Sequence, residues 1–183
     1  MSRTDLAARI DRLQSAAEIR SLAHLYAVYL DSRDVDALAG LFVEDVWVTP
    51  TTKGREAMRE ALSTKVIREV GLTILHVGNH VIDFDGPDDA RGVVYCRAEV
   101  QTDAETLISQ AIHYGDTYSR RRGRWYFVRR KHELFYGVEI GRRPVDLPPA
   151  NWPEHHTGKG TVPERFESWQ RFWERTSSDQ PRL

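Results

Sequence analysis

The hydrophobic period of this chain changes near Thr73, and that change constrains the fold more than any other feature. Before it, apolar residues recur at helical spacing. After it, they alternate with a period of two. Residues 73–84, 90–102, 106–119 and 124–138 read as four long strands. Asp85-Gly86-Pro87, Asp103-Ala104-Glu105 and Arg122-Gly123 stand between them as turn chemistry. Parallel neighbours need a crossover of a dozen or more residues, so links this short predict an antiparallel meander. Helices followed by a strand meander define an α+β fold.

Ser15-Ala16-Ala17-Glu18 has capping-box spacing. It predicts a short helix over residues 4–14 and a second helix from about Ala16. Ile19, Leu22, Ala23, Tyr26, Tyr29 and Leu30 form the buried stripe of that second helix. Asp34 is placed to cap a further helix through Ala37, Leu38 and Leu41. Val46-Trp47-Val48 reads as a brief strand, and Gly54 to Leu62 as another helix.

Residues 1–138 form the predicted α+β domain, and 139–183 a wrapping tail. Six of the eight prolines lie beyond residue 140. Pro144, Pro148, Pro149 and Pro153 imply an extended path. Pro163 is placed to open a short helix with Phe166, Trp169, Phe172 and Trp173 on one face, covering the cavity or a partner subunit.

Charge narrows the partners. Lys plus Arg is 26 and Asp plus Glu is 27. This balance lacks the general electrostatic pull that nucleic-acid binding draws on. The run Arg120-Arg121-Arg122-Gly123-Arg124 therefore reads as a solvated hairpin turn. No apolar run reaches the ~20 residues of a membrane span, and the N-terminus lacks a signal-peptide stretch. A cytoplasmic protein is expected. The single Cys96 excludes an internal disulfide and sits among small apolar neighbours, as a packing thiol does.

Strict alternation puts Ile74, His76, Gly78, His80, Ile82 and Phe84 on one strand face. Two histidines thus interrupt an apolar surface. Their backbones stand roughly 13 Å apart on a strand, too far for one metal ion. No metal site and no cofactor are expected. His76 suits a general base, and Asp31, at the end of a helix whose stripe faces the sheet, is the candidate to orient it. Tyr26, Tyr29, Trp47, His80 and Tyr114 are candidate substrate-binding residues. Tyr114, Asp116 and Tyr118 share the inward face of their strand, while His113 points outward. His155 and His156 read as surface residues of the tail.

Residues 18–42 (EIRSLAHLYAVYLDSRDVDALAGLF), 76–96 (HVGNHVIDFDGPDDARGVVYC) and 112–130 (IHYGDTYSRRRGRWYFVRR) resemble SnoaL-like proteins of the nuclear transport factor 2-like superfamily. The resemblance spans about residues 10–135. It implies a cone, in which a curved antiparallel sheet wraps around the N-terminal helices and encloses a pocket. Scytalone dehydratase and hexachlorocyclohexane dehydrochlorinase pair an aspartate after the first long helix with a histidine on the next long strand. Asp31 in YLDSRD matches that aspartate, and His76 in LHVGNH is the nearest match for the histidine. His76 stands three residues before Asn79, not four, so a bulge or another register is required. No histidine lies around Ala98 to Thr102, which argues against scytalone itself as substrate.

The expected function is cofactor-independent proton transfer, of lyase (dehydratase-like) or isomerase type, on a small hydrophobic and cyclic molecule. The alternative is a non-catalytic binding or assembly subunit, such as a ring-hydroxylating dioxygenase β-subunit-like protein. Homo-oligomers are expected on either reading.

Overall fold

A computed structural model of the chain describes residues 3–67, 70–102, 106–141, 147–161, 165 and 167. The elements run α1 (Arg3–Asp31), α2 (Val35–Gly40), β1 (Trp47–Thr49), β2 (Thr52–Lys53) and α3 (Arg55–Ala61). A π-helical segment (Leu62–Ile67) leads into β3 (Val70–Phe84), β4 (Asp89–Thr102), β5 (Leu107–Arg121), β6 (Arg124–Glu139) and β7 (Gly158–Lys159).

The expected break at Ser15 is absent. α1 is one helix of 29 residues, and Ser15 lies buried inside it. No glycine or proline interrupts residues 3–31, so nothing stops the helix that began upstream. Asp34 does cap α2, its carboxylate accepting from the Ala37 N–H at 3.1 Å.

The sheet order is β3-β4-β5-β6-β7, antiparallel throughout. The long strands match the alternation pattern to within a few residues at each end. β7 comes from the tail, which returns along β6 and pairs at Tyr136 and Gly137. The tail aromatics Phe166, Trp169, Phe172 and Trp173 lie outside the described residues, as do Pro163 and the turn Asp103-Ala104-Glu105.

α1 packs on the inner sheet face. Ile19, Leu22 and Leu30 join Leu38, Phe42, Val46, Tyr118 and Phe127 in one core cluster. Ala23 joins Val94, Cys96, Ala98, Ile112, Tyr114 and Leu134 in a second. The Arg33 guanidinium bonds the Leu30 carbonyl at 2.7 Å, the Thr73 hydroxyl at 2.7 Å and the Val70 carbonyl at 3.0 Å. It thereby ties the end of α1 to the start of β3.

Bulges decide which side chains face inward. Val77 pairs with Cys96 and His80 with Val94, so Gly78 and Asn79 together face Tyr95. An extra residue flips strand parity. Thr73, Leu75 and Val77 therefore turn inward before the bulge, and His80, Ile82 and Phe84 after it. A second bulge places Phe127 opposite Tyr118 and Arg129 opposite Thr117, leaving Val128 unpaired. The inward set of β6 changes there from Trp125 and Phe127 to Arg130, His132 and Leu134.

Gly92 is required where β3 and β4 meet β5. A Cβ there would stand 2.8 Å from the Val81 carbonyl oxygen and 3.1 Å from Tyr118 Cε2. Gly92→Ala is expected to destabilise the fold by about 1–3 kcal/mol, because the closer obstacle is backbone that cannot rotate away. Urea denaturation of the two proteins checks this.

Candidate functional site

Asp31 and His76 do not form the expected pair. The His76 ring is exposed on the outer face of β3. Asp31 instead accepts the Leu75 N–H at 3.0 Å. The physical reason is the Gly78–Asn79 bulge. It brings His80 inward and leaves the even-numbered residues before it pointing away from the helices. β3 is the edge strand, and Asp31 caps a backbone donor on its open side. The other Asp31 oxygen, Oδ1, is buried with no hydrogen-bond partner among the described residues.

A different polar centre occupies the interior. Asp116 on β5 and Arg130 on β6 form a two-bond ion pair. Nε donates to Oδ1 at 2.9 Å and Nη2 to Oδ2 at 2.7 Å. The two side chains are 0% and 4% exposed, so this pair is fully desolvated. Tyr118 Oη donates to Asp116 Oδ2 at 2.8 Å, and His80 Nε2 lies 3.1 Å from the same hydroxyl. The guanidinium carbon of Arg130 sits over three rings, at 4.5 Å from Tyr26, 4.2 Å from Tyr114 and 4.4 Å from Phe127.

A cavity of about 370 Å³ opens beside this centre. Tyr26, Tyr114, Arg130 and His132 supply its polar wall. Phe42, Val46, Met58 and Leu62 supply much of the apolar one. Neither the Tyr26 nor the Tyr114 hydroxyl has a hydrogen-bond partner among the described residues. Both residues line the cavity. His132 is wedged between Tyr114 and the tail residue Trp152, with ring centroids at 5.4 and 4.6 Å.

Burial sets the charge states. It pushes His132 down to about 4, helped by the Arg130 charge, so the imidazole is neutral at pH 7. Burial also lowers His80 to about 4. Burial raises both tyrosines above the ordinary phenol value, strongly for Tyr114, while Arg130 pulls in the opposite direction. They therefore stay protonated donors. Burial would lower Arg130, but Asp116 outweighs it and holds the guanidinium charged.

Burial also lowers His113, so three depressed histidines make stability pH-dependent; the window is set by His80 and His132. Each is neutral when folded and titrates near 6.5 when unfolded, so the unfolded chain binds more protons between pH 6.5 and 4. Stability is therefore complete above about pH 6.5 and is lost as pH falls toward 4. Melting temperatures at pH 7.5, 6 and 5 are expected to decrease in that order, with net proton uptake on unfolding to which His80, His132 and His113 all contribute.

The remaining expectations divide. Tyr114 is buried and lines the cavity, as does Tyr26. Trp47 lines it too but is 63% exposed, which makes it a rim residue with Lys53 over its ring. Tyr29 packs on the core and does not line the cavity. His80 faces inward but stands behind Tyr118, outside the lining. Cys96 is buried, and burial raises its thiol to about 11. His113 points to the outer face as expected, but it is not exposed there. It is buried at 4% on the outer sheet face, between Tyr95 and Phe135, with Glu133 at 3.6 Å. His156 is also not a free surface residue, because its ring stacks on Trp152 at 4.8 Å. Two of the four arginines of the basic hairpin are neutralised locally. Arg120 bonds Asp11 and Asp88, and Arg121 bonds Asp45.

Arg130 and His132 were not among the residues singled out from the sequence. They share strand parity with the apolar Leu134, a pattern that could have marked them.

The SnoaL-like domain family model matches residues 11–131, and the chain belongs to that family. Solved structures agree on the architecture. A type 3 hexachlorocyclohexane dehydrochlorinase from Novosphingobium barchaimii LL02 is 23% identical, with a TM-score of 0.66 over 74% of this chain and 96% of its own. A protein from Novosphingobium aromaticivorans DSM 12444, provisionally assigned as a scytalone dehydratase, is 26% identical, with a TM-score of 0.62 over 74% and 93%. A protein provisionally assigned as an aromatic ring hydroxylase, from Novosphingobium aromaticivorans, is 19% identical, with a TM-score of 0.61 over 70% and 94%. These likenesses establish the nuclear transport factor 2-like fold, with an open five-stranded sheet. No curated protein matches the sequence. Among the described residues, no helix is long and apolar enough to cross a membrane.

Proposed function

We propose that this chain is a cofactor-independent lyase or isomerase that moves a proton on a small, mostly apolar cyclic molecule held in the cavity beside Arg130. The carrying observation is the conjunction of a neutral imidazole, His132, with two open phenol donors, Tyr26 and Tyr114, on one wall of that cavity. His132 replaces His76 as the base in this reading. The two phenols donate to an oxygen or halide of the substrate as negative charge grows there. Arg130 lies against both rings and makes their hydroxyls better donors.

Two family neighbours suggest what to test. One is a hexachlorocyclohexane dehydrochlorinase and one is provisionally assigned as a scytalone dehydratase. Chlorinated cyclohexanes and cyclic β-hydroxyketones should be offered to the protein, with chloride release or loss of water as readout. Turnover that disappears in His132→Gln supports the proposal. Turnover that survives that substitution overturns it.

One observation favours the alternative of a binding or assembly subunit. The acid and the histidine that the family resemblance pairs are apart. Tight binding of the same compounds with no product would favour that reading. Self-association belongs to both readings. Val81 is 61% exposed and Ile74 39% exposed on β3, apolar surface that a second copy could cover. Sedimentation velocity would measure it.

A further inference from the structure

His80 stands outside the cavity, yet it ends a chain of hydrogen bonds that leads to its wall. Proton bookkeeping fixes the direction of every bond in that chain. An ionised carboxylate only accepts. Asp116 accepts two bonds from Arg130 and one from Tyr118 Oη, at 2.8 Å. The Tyr118 hydroxyl has one proton, and that proton is spent on Asp116. The 3.1 Å contact to His80 Nε2 must then run the other way, with the imidazole donating. His80 is therefore the Nε2–H tautomer, and Nδ1 is a bare lone pair. Nδ1 is indeed buried with no partner among the described residues, a setting that a second ring N–H could not tolerate without loss.

The backbone is arranged for this contact. The Gly78–Asn79 bulge turns His80 inward. A Cβ on Gly92 would lie 3.4 Å from His80 Nε2 and 3.1 Å from Tyr118 Cε2, so glycine leaves the two rings room to meet.

We propose that His80 is a positioning residue: as the Nε2–H tautomer it holds Tyr118, and through Tyr118 the Asp116–Arg130 pair that backs the Tyr26 and Tyr114 donors. The tautomer follows from the hydrogen bonds alone. The consequence for turnover rests on the function proposed above. Tyr118 anchors the Asp116 oxygen that also receives Arg130 Nη2. Without that anchor the carboxylate can rotate and carry the guanidinium off the two phenol rings. Small displacements of donors from the reacting atoms are costly to rate.

The test uses the full chain labelled with ¹⁵N-histidine, and reads tautomers from long-range ¹H–¹⁵N correlations at pH 7. The expected result is a protonated Nε2 and an unprotonated Nδ1 for His80. In Tyr118→Phe, whose fold is checked by circular dichroism, that preference should be lost. An Nδ1–H tautomer or an imidazolium in the unaltered protein overturns the proposal. A tautomer unmoved by Tyr118→Phe also overturns it. Turnover supplies the second arm. His80→Leu is expected to lower kcat about tenfold with little change in KM. His80→Gln, whose amide can donate to Tyr118, should restore most of that loss. Equal kcat for the Leu and Gln variants overturns the positioning role. A protein that turns over nothing counts against the proposed function, whereas the tautomer arm is still decided by the NMR spectrum.

Discussion

Asp116→Leu is expected to be among the most destabilising single substitutions in this protein, costing about 3–5 kcal/mol. The substitution leaves the Arg130 guanidinium in place, with a side chain 4% exposed and no counter-ion. A guanidinium cannot shed its charge. Its only compensation would be the faces of Tyr26, Tyr114 and Phe127, which stabilise a desolvated cation by about 2 kcal/mol. Tyr118 also loses its carboxylate acceptor and keeps only the 3.1 Å contact to His80 Nε2. Arg130→Leu should be milder. A buried carboxyl left alone can take up a proton and become neutral, and Tyr118 remains as a partner. The double variant, Asp116→Leu with Arg130→Leu, should recover much of the loss, because no charge is then buried. For a chain of this size each kcal/mol corresponds to roughly 2–4 °C, so the order should be visible in melting temperatures. Equal melting temperatures for Asp116→Leu and Arg130→Leu would contradict the argument.

The architecture was legible in the sequence because its determinants are local. Alternating residues between turn-forming clusters set the limits of β3, β4 and β6, and hairpin links leave only antiparallel neighbours. Asp34 announced the start of α2 for the same reason, since a cap acts within one turn. The apparent cap at Ser15 failed because capping chemistry starts a helix only where the preceding helix has ended. Residues 3–14 contain nothing to end it.

The site was less legible, and the bulges explain why. Alternation assigns faces only while the register holds. One extra residue at Gly78–Asn79 exchanged the fates of His76 and His80 relative to one another. Another at Val128 hid Arg130 and His132 inside a run that reads as basic surface. On β5, where Tyr114, Asp116 and Tyr118 lie in an unbroken stretch of its pairing with β4, the inward reading and the structure coincide. The family resemblance located the correct end of α1. It could not tell whether its acid would meet a histidine, because that depends on a register one residue long.

His132→Gln and His76→Gln should therefore have opposite outcomes. A general base typically contributes 10²- to 10⁴-fold to rate, so His132→Gln is expected to lower kcat by about that factor. The glutamine preserves a polar side chain against Trp152 and Tyr114, which limits the structural component of the loss. His76→Gln should leave kcat unchanged, because that ring is exposed on the far side of the sheet. The pH profile adds an independent signature. His132 is pushed down to about 4 by burial, and only its neutral form can accept a proton. Turnover should stay level from pH 8 to 6 and fall on the acid side as pH approaches 4, where an ordinary histidine would already fail near 6.5. Acid unfolding acts in the same range, so initial rates should be compared with the folded fraction at each pH. So weak a base removes only a proton that the substrate has already acidified. The Tyr26 and Tyr114 donors must then carry much of the barrier, and Tyr114→Phe should reduce kcat without shifting the acid limb. A limb that moved to 6.5 with activity intact in His132→Gln would transfer the role of base to another residue.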